Sequence, residues 1–103
     1  MVHNHATNYR LDLSIDAVIV GFIEYKIKDE LLQKIYISHM SIDAYYQRNG
    51  LGTYLLNCLK KEFSIIALLS FRKSLNIFYE KNNFVEDLSE RKLKNMTHYM
   101  WTK

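Results

Sequence analysis

The chain has 103 residues, of which 49% are hydrophobic and 24% charged, and its formal net charge is +3 at pH 7. This length excludes a large multidomain enzyme, and we expect residues 1–103 to form one domain. A single cysteine, Cys58, excludes an internal disulfide and a cysteine-based zinc site. No apolar run reaches the roughly 20 residues of a membrane helix, and the first ten residues lack an apolar signal core, so we expect a cytoplasmic protein without a membrane partner.

Three strand-like segments fill the first half of the chain. The segment "NYRLDLS" alternates apolar with polar residues, the period of a half-buried strand. Residues 17–27 are rich in β-branched and aromatic side chains, which favours a second strand. Asp29 and Glu30 predict a turn, and residues 31–43 predict a third strand, straight or bent.

The second half of the chain predicts two helices and three strands. A first helix is indicated by apolar residues at helical spacing, on one face: Leu51, Tyr54, Leu55, Cys58 and Leu59. Residues 64–70 form a short apolar run typical of a strand buried on both faces. Ser70 is the expected cap of a second helix, which Asn82-Asn83 would end, and whose apolar face would carry Phe71, Leu75, Phe78 and Tyr79. Residues 84–88 and 96–103 predict two closing strands. The order β-β-β-α-β-α-β-β defines an α/β fold with a mixed, mostly antiparallel sheet.

Two of the three glycines, Gly50 and Gly52, stand where the first helix should begin. Glycine costs a helix about 1 kcal/mol relative to alanine, so its use here needs a reason. A strand, a glycine-containing loop and a helix N-terminus together form a common anion cradle, because the first helical N–H groups lack partners. A tight turn with no ligand is the alternative. The loop is neither a GxGxxG nor a GxxxxGK[ST] nucleotide signature.

Two motifs carry a resemblance to a known family. The stretch Gln47-Arg48-Asn49-Gly50-Leu51-Gly52 resembles the Q/R-x-x-G-x-G/A signature of the Gcn5-related N-acetyltransferase (GNAT) superfamily. The stretch "LNIFYEKNNF" (75–84) is similar to that family's later helix. The resemblance implies a compact three-layer fold and one acyl-CoA-binding domain over residues 1–103. Only 16 residues precede Ala17, so we expect a truncated form without the two N-terminal helices that shape the acceptor site.

The family's cofactor contacts transfer to specific positions of this chain. In relatives the loop's backbone N–H groups hold the coenzyme A pyrophosphate, and the preceding strand diverges from its neighbour and pairs with the pantetheine arm. The resemblance therefore implies that the pantetheine contacts are at Met40 and Ile42. It implies a loop contact set of Gln47, Arg48, Asn49, Gly50, Leu51, Gly52 and Thr53. Acetyl-CoA is the expected co-substrate, and no metal is expected.

The resemblance also assigns catalytic positions. Tyr79 matches the tyrosine that protonates the departing thiolate; the alternative is that it only packs on the helix's apolar face. Several relatives use a glutamate as base on the third strand, on the face of Met40 and Ile42. Here that position is Tyr36, with Ser38 as its neighbour on the same face. The alternatives that remain open are a water chain or one of three nearby side chains: Glu24, His39 and Asp43.

The expected function is transfer of an acetyl group from acetyl-CoA to a primary amine, directly and in a ternary complex. The acceptor is a small-molecule or protein amine that the sequence does not identify. The alternative is a non-catalytic module that binds CoA or acyl-CoA. A nucleic-acid partner is not expected, because the basic residues are scattered instead of forming one stripe. A homodimer is expected, because the absent helices would leave apolar surface exposed.

Overall fold

A computed structural model describes residues 8–103 of the chain. Six strands form one sheet in the spatial order β1-β2-β3-β4-β6-β5. The β3–β4 pair is parallel, and every other pair is antiparallel. The elements are β1 (Asn8–Ile15), β2 (Val18–Asp29), β3 (Lys34–Ile42), α1 (Leu51–Glu62), β4 (Ile65–Ser70), α2 (Lys73–Lys81), β5 (Val85–Glu86) and β6 (Thr97–Thr102), with a short 3₁₀ turn at Ala44–Tyr46.

The predicted fold class, element order and mixed sheet are confirmed. Of the three predicted layers, residues 8–103 supply two, because both helices pack on the same face of the sheet. One cluster of buried side chains joins that face to α1 and to the end of α2: Ile23, Ile35, Ile37, Leu55, Leu56, Leu59, Ile66, Leu68, Tyr79, Phe84 and Tyr99. Neither helix in this part of the chain is long and apolar enough to cross a membrane.

The buried face of α1 differs from the predicted one. Tyr54 was expected on the apolar face but is 56% exposed, whereas Leu56 is fully buried together with Leu55 and Leu59. The helix begins at Leu51 as predicted, so the difference is one of rotation about its axis. The observed stripe of residues 55, 56 and 59 also follows helical spacing.

Two predicted boundaries are wrong for local reasons. β3 begins at Lys34, three residues after its predicted start at residue 31. The reason is a turn at residues 30–33, in which the Asp29 carboxylate accepts a hydrogen bond from the Leu32 N–H at 3.0 Å. The side chain of Leu31 at this turn is 97% exposed.

The second helix begins at Lys73, with Arg72 in the cap position and no side-chain cap. Ser70 therefore does not cap it. Its hydroxyl instead donates to Oδ1 of Asn76 at 2.6 Å. Phe71 precedes the helix and is exposed, so it is not part of the apolar face. The predicted end is confirmed, because Asn82 occupies the C-cap and Asn83 adopts a positive φ of 68°.

β4 is buried less completely than its apolar sequence predicts. Ile66, Leu68 and Ser70 on the helix-covered face are buried, whereas Ile65, Ala67 and Leu69 are half-buried. The prediction of burial on both faces is therefore right for one face and only partly right for the other.

A β-bulge in β3 bends this strand in its middle. Glu24 of β2 pairs with His39 and Tyr25 pairs with Ile37, so Ser38 is an extra residue between them. The Ser38 hydroxyl donates to the Glu24 carbonyl at 3.2 Å. An extra residue shifts the alternation of side chains by one position.

The shift overturns one prediction about the faces of β3. Ile35 and Ile37 before the bulge, and Met40 and Ile42 after it, all face the core. Tyr36 therefore points to the opposite face from Met40 and Ile42, not to the same face as predicted. Ser38 is the bulged residue itself and belongs to neither alternation.

Lys60 of α1 forms a hydrogen bond to the end of α2 and contacts two aromatic rings. Its Nζ donates to the Asn82 carbonyl at 2.5 Å and lies 5.2 Å from the ring centre of Trp101 and 5.5 Å from that of Phe84. Burial lowers the pKa of Lys60. These contacts fix the position of the last turn of α2, which carries Tyr79.

The rotation of α1 can be tested by a pair of substitutions. We expect Leu56→Ala to lower the free energy of unfolding by about 3 kcal/mol, because it opens a cavity in a fully buried site. Tyr54→Ala should change it by less than about 1 kcal/mol, because that side chain is mostly in solvent. Urea unfolding of both variants measures the difference. Equal losses would contradict the observed orientation of the helix.

Candidate functional site

A cleft of about 720 Å³ opens between the second half of β3 and the N-terminal turns of both helices. This volume lies within the range of ligand-binding clefts. Its walls come from two parts of the chain: residues 39–53, which comprise the end of β3, the loop that follows and the start of α1, and residues 72–79, which form one side of α2. The lining residues are His39, Met40, Ser41, Ile42, Tyr46, Gln47, Arg48, Gly50, Leu51, Gly52, Thr53, Arg72, Ser74, Leu75, Phe78 and Tyr79.

One wall of the cleft is a split between β3 and β4. The parallel pairing of these strands ends at Ile37 and Leu68. Beyond this point β3 pairs only with β2 over Ser38–Ile42, while Leu69 and Ser70 of β4 pair with β6. The split starts at the bulged Ser38, where β3 changes direction. The backbone edge of β3 is thus open toward the cleft.

Hydrogen-bond parity shows which backbone groups face the split. Asp43 donates its N–H to the Val20 carbonyl of β2 at 2.7 Å. In an antiparallel pair, successive residues alternate between bonding to the partner and pointing away from it. Ser41 therefore bonds to β2, while the backbone groups of Met40 and Ile42 point toward the split. The Ile42 carbonyl is already used there, because Nε2 of Gln47 donates to it at 3.0 Å.

The loop between β3 and α1 contains two residues in the left-handed region. Gly50, the N-cap of α1, has a φ of 77°, and Arg48 has a φ of 69°. The left-handed conformation costs a non-glycine residue about 1 kcal/mol, so Arg48 is strained. No side chain caps α1, and its first turn contains no acidic residue. The N–H groups of Leu51, Gly52 and Thr53 therefore remain available at the cleft.

The two loop glycines are present for different reasons. Gly50 supplies a positive φ, and a Cβ built there meets nothing within 4 Å. Gly52 is constrained by packing instead, since a Cβ there would lie 2.9 Å from Cζ of Phe78 and 3.2 Å from Cε of Met40. Gly52 thus allows α1 to lie close to α2 and to the open edge of β3. The predicted helix-initiating turn and the predicted cradle are compatible, because one loop geometry provides both.

The cleft is electropositive. Arg48, in the loop before α1, and Arg72, at the N-cap of α2, both line it, and none of its lining residues, all within residues 8–103, is an aspartate or glutamate. The N-terminus of α1 adds the partial positive charge of the helix dipole. Anions are therefore favoured at the loop end of the cleft.

Tyr79 lines the inner part of the cleft and is only 8% exposed. Its ring packs against Phe78, Phe84 and Tyr99. Within the described residues, every fully buried side-chain oxygen has a hydrogen-bond partner. The Tyr79 hydroxyl has no such partner, so it is not fully buried. Because Tyr79 lines the cleft, we infer that its hydroxyl reaches the cleft. Burial raises the pKa of Tyr79. The phenol thus stays protonated at neutral pH and can donate a proton into the cleft.

His39 lines the cleft at the split and contacts a carboxylate. Its Nδ1 lies 3.5 Å from Oε1 of Glu24, the residue directly opposite on β2. Its ring and that of Phe22 form a T-shaped pair with the ring centres 5.1 Å apart. His39 lies on the opposite face of β3 from Met40. Asp43, another predicted base, instead accepts the Tyr45 N–H at 3.0 Å and begins the 3₁₀ turn.

Nine of the ten predicted site residues line this one cleft. The exception is Asn49, which is not among the lining residues. Their roles in binding and catalysis remain predictions. Sequence reasoning missed Tyr46, Ser74 and Phe78 as lining residues, and it missed the pairing of Glu24 with His39. The Glu24–His39 pair could have been found only from the register of β2 against β3, which the bulge at Ser38 determines.

Comparison with known proteins adds a family match. The family model described as "Acetyltransferase (GNAT) domain" matches residues 12–86. No curated protein sequence matches the chain.

Several solved structures share the fold at low sequence identity. The PaiA N-acetyltransferase of Thermoplasma acidophilum, in complex with coenzyme A, is 23% identical with a TM-score of 0.75, over 93% of this chain and 61% of that one. Tetrahymena Gcn5 is 12% identical with a TM-score of 0.76, over 92% and 68%. An acetyltransferase of Bacillus anthracis, in complex with acetyl coenzyme A, is 21% identical with a TM-score of 0.70, over 95% and 62%. The chain thus spans about three fifths of the length of two of these proteins.

The burial of Tyr79 predicts a loss of stability at alkaline pH. Because the pKa of its phenol is raised in the folded state, the stabilisation is complete below about pH 10, the ordinary value, and falls as pH rises through the folded-state value. Burial and the Glu80 hydrogen bond act on Tyr99 in the same direction. Urea unfolding at pH 8 and pH 11 should show a smaller alkaline loss for Tyr79→Phe than for the native protein. Tyr45→Phe is the control, because Tyr45 is exposed, and it should lose as much stability at pH 11 as the native protein does. An equally large loss in Tyr79→Phe would show that the Tyr79 phenol is not buried.

Proposed function

Because the chain belongs to the Gcn5-related N-acetyltransferase (GNAT) family, we propose that it transfers an acetyl group from acetyl-CoA to a primary amine. The observation that carries the proposal is that an anion cradle and an open strand edge meet in one cleft. Coenzyme A has both matching parts, a pyrophosphate and a peptide-like pantetheine arm. The solved relatives that contain coenzyme A or acetyl coenzyme A support this choice of cofactor.

The proposed binding mode assigns one part of the cofactor to each wall. The first-turn N–H groups of α1 and the side chain of Arg48 receive the pyrophosphate, where the helix dipole favours negative charge. The backbone groups of Met40 and the N–H of Ile42 receive the pantetheine amides as an added strand would. Gln47 has a supporting role, because its bond to the Ile42 carbonyl ties the loop to the strand.

The reaction exchanges two bonds. A bond forms between the acceptor nitrogen and the acetyl carbonyl carbon, the bond from that carbon to sulfur breaks, the amine loses a proton and the thiolate gains one. Tyr79 is the proposed proton donor, since its protonated hydroxyl reaches the cleft. Holding both substrates in one cleft supplies proximity and orientation, so no covalent enzyme intermediate is needed.

His39 is the proposed acceptor of the amine proton. Imidazole exchanges protons readily near neutral pH. Glu24 orients the ring through Nδ1, which leaves Nε2 as the atom that takes the proton. In this proposal His39 takes the place of the glutamate that several relatives have on the third strand, because Tyr36, the residue at that position here, is not a carboxylate.

A non-catalytic CoA-binding module is the second candidate. It is favoured by the absence of any carboxylate among the residues of the described chain that line the cleft. In that case the cleft would bind acetyl-CoA, and no residue would be needed to accept the amine proton.

Calorimetric titration with acetyl-CoA tests the cofactor site. We expect binding to the native protein and a loss of at least about tenfold in affinity for Gly50→Glu, because a carboxylate would oppose the pyrophosphate in the cradle. Gly50→Gln is the matched control, since it has the same size and the same positive φ but no charge. Equal affinities for the two variants would rule out an anion at this loop. No binding to folded native protein would contradict both candidate functions.

Acetyl transfer to amines then separates the two candidate functions. Tyr79→Phe and His39→Gln should bind acetyl-CoA as the native protein does but transfer the acetyl group about 100-fold more slowly, the effect of losing one acid or base. Binding without any transfer by the native protein would support the non-catalytic module. Unchanged transfer rates in both variants would exclude the proposed roles of these two side chains.

A further inference from the structure

A second cavity of about 560 Å³ adjoins the cleft at the start of α2. Arg72 lines both spaces and forms the boundary between them. The walls of the second cavity are the first turn of α2 on one side and the segment before β6 on the other. Its lining residues are Ser70, Phe71, Arg72, Lys73, Asn76, Lys92, Leu93, Asn95, Met96 and Thr97.

Three cations line this cavity, and no carboxylate does. Arg72, Lys73 and Lys92 come from two different segments. Within residues 8–103 the ion pairs are Arg10–Asp12 and His39–Glu24, so none of the three cations is paired with a described carboxylate. Like charges that converge without a counter-ion repel each other, and an anion between them would remove that repulsion.

The residues at the start of α2 have the opposite charge to that usually found at a helix N-terminus. The positive end of the helix dipole favours acidic residues, yet Arg72 and Lys73 occupy the cap and the first position. The first turn contains no acidic residue and has no side-chain cap. These cations therefore stabilise neither the helix nor an ion pair, whereas they would suit a bound anion.

The floor of the cavity is polar and held in place. The Ser70 hydroxyl donates to Oδ1 of Asn76, and Nδ2 of Asn76 lies 3.5 Å from Oγ1 of Thr97. Ser70 is buried at the end of β4. Leu93 and Met96 add apolar surface that suits a short carbon chain. The cavity thus combines a cationic rim with a partly apolar interior.

We propose that this cavity binds the anionic end of the acceptor, a small primary amine that carries a carboxylate or phosphate group. The inference rests on the proposed acetyl transfer, because it places the acceptor beside the cleft that would hold acetyl-CoA. Arg72 at the boundary contacts both spaces, so the amine end can extend past it toward the thioester. A polyamine acceptor is disfavoured by the same three cations.

A matched series of four amines tests the substrate class. The series is 4-aminobutanoate, 4-aminobutanamide, 1,4-diaminobutane and 3-aminopropyl phosphate, which share a short chain and differ in the terminal charge. At saturating acetyl-CoA we expect kcat/KM to be about tenfold or more higher for one or both anionic amines than for the amide, and lowest for the diamine. The comparison between carboxylate and phosphate identifies the preferred anion.

Charge reversal at the rim locates the site. Lys92→Glu should reduce the preference for the anionic amines about tenfold, mainly by raising KM, because Lys92 lines the second cavity but not the cleft. Lys94→Glu is the control, since it makes the same charge change in the same segment without lining the cavity.

The outcomes that overturn the proposal differ from those that overturn the proposed function. Equal use of all four amines, preference for the diamine, transfer to none of them, or an unchanged preference in Lys92→Glu would each overturn the anionic-acceptor site. A weakened affinity for acetyl-CoA in Lys92→Glu would also overturn it, because the cavity would then serve the cofactor. Failure of the native protein to bind acetyl-CoA would instead overturn the proposed function itself.

Discussion

The extra residue at Ser38 is the constraint on which the site depends. A regular β3 would have continued its parallel pairing with β4, and the backbone groups of Met40 and Ile42 would have been used within the sheet. The bulge ends that pairing at Ile37 and Leu68. It also shifts the alternation, so that both halves of β3 place apolar side chains on the core while the second half keeps an open edge. One residue thus leaves part of the sheet edge open toward the cleft in which we propose that the cofactor binds.

The remaining elements converge on this split. The 3₁₀ turn and the loop carry the chain from β3 to α1, and Gly52 lets α1 approach Phe78 and Met40 closely. Lys60 ties α1 to the end of α2, which holds Tyr79 beside the open edge. The uncapped starts of both helices, with Arg48 and Arg72 nearby, make this end of the molecule favourable for anions. Packing and electrostatics therefore favour the same location for a ligand.

Local signals in the sequence predicted most of the fold and most of the cleft residues. Alternation identified β1, β-branched and aromatic residues identified β2, the apolar run identified β4, and the glycine loop identified the start of α1. The errors have two origins, a local turn and longer-range packing. The Asp29 turn shortened β3, the rotation of α1 exchanged Tyr54 for Leu56, and the bulge moved Tyr36 to the opposite face. The Glu24–His39 pair depends on the same bulge, so no local pattern could indicate it.

Backbone hydrogen exchange at the split, followed residue by residue, is the most direct test of the account. Coenzyme A should slow exchange at the Met40 and Ile42 amides about tenfold or more, because the pantetheine arm would bond to them. Adenosine 3′,5′-bisphosphate, which lacks that arm, should affect only the loop and the start of α1. The Ser41 amide, which bonds to β2, is an internal control. Unchanged exchange at Met40 and Ile42 with saturating coenzyme A would contradict the claim that the split strand edge is the cofactor site.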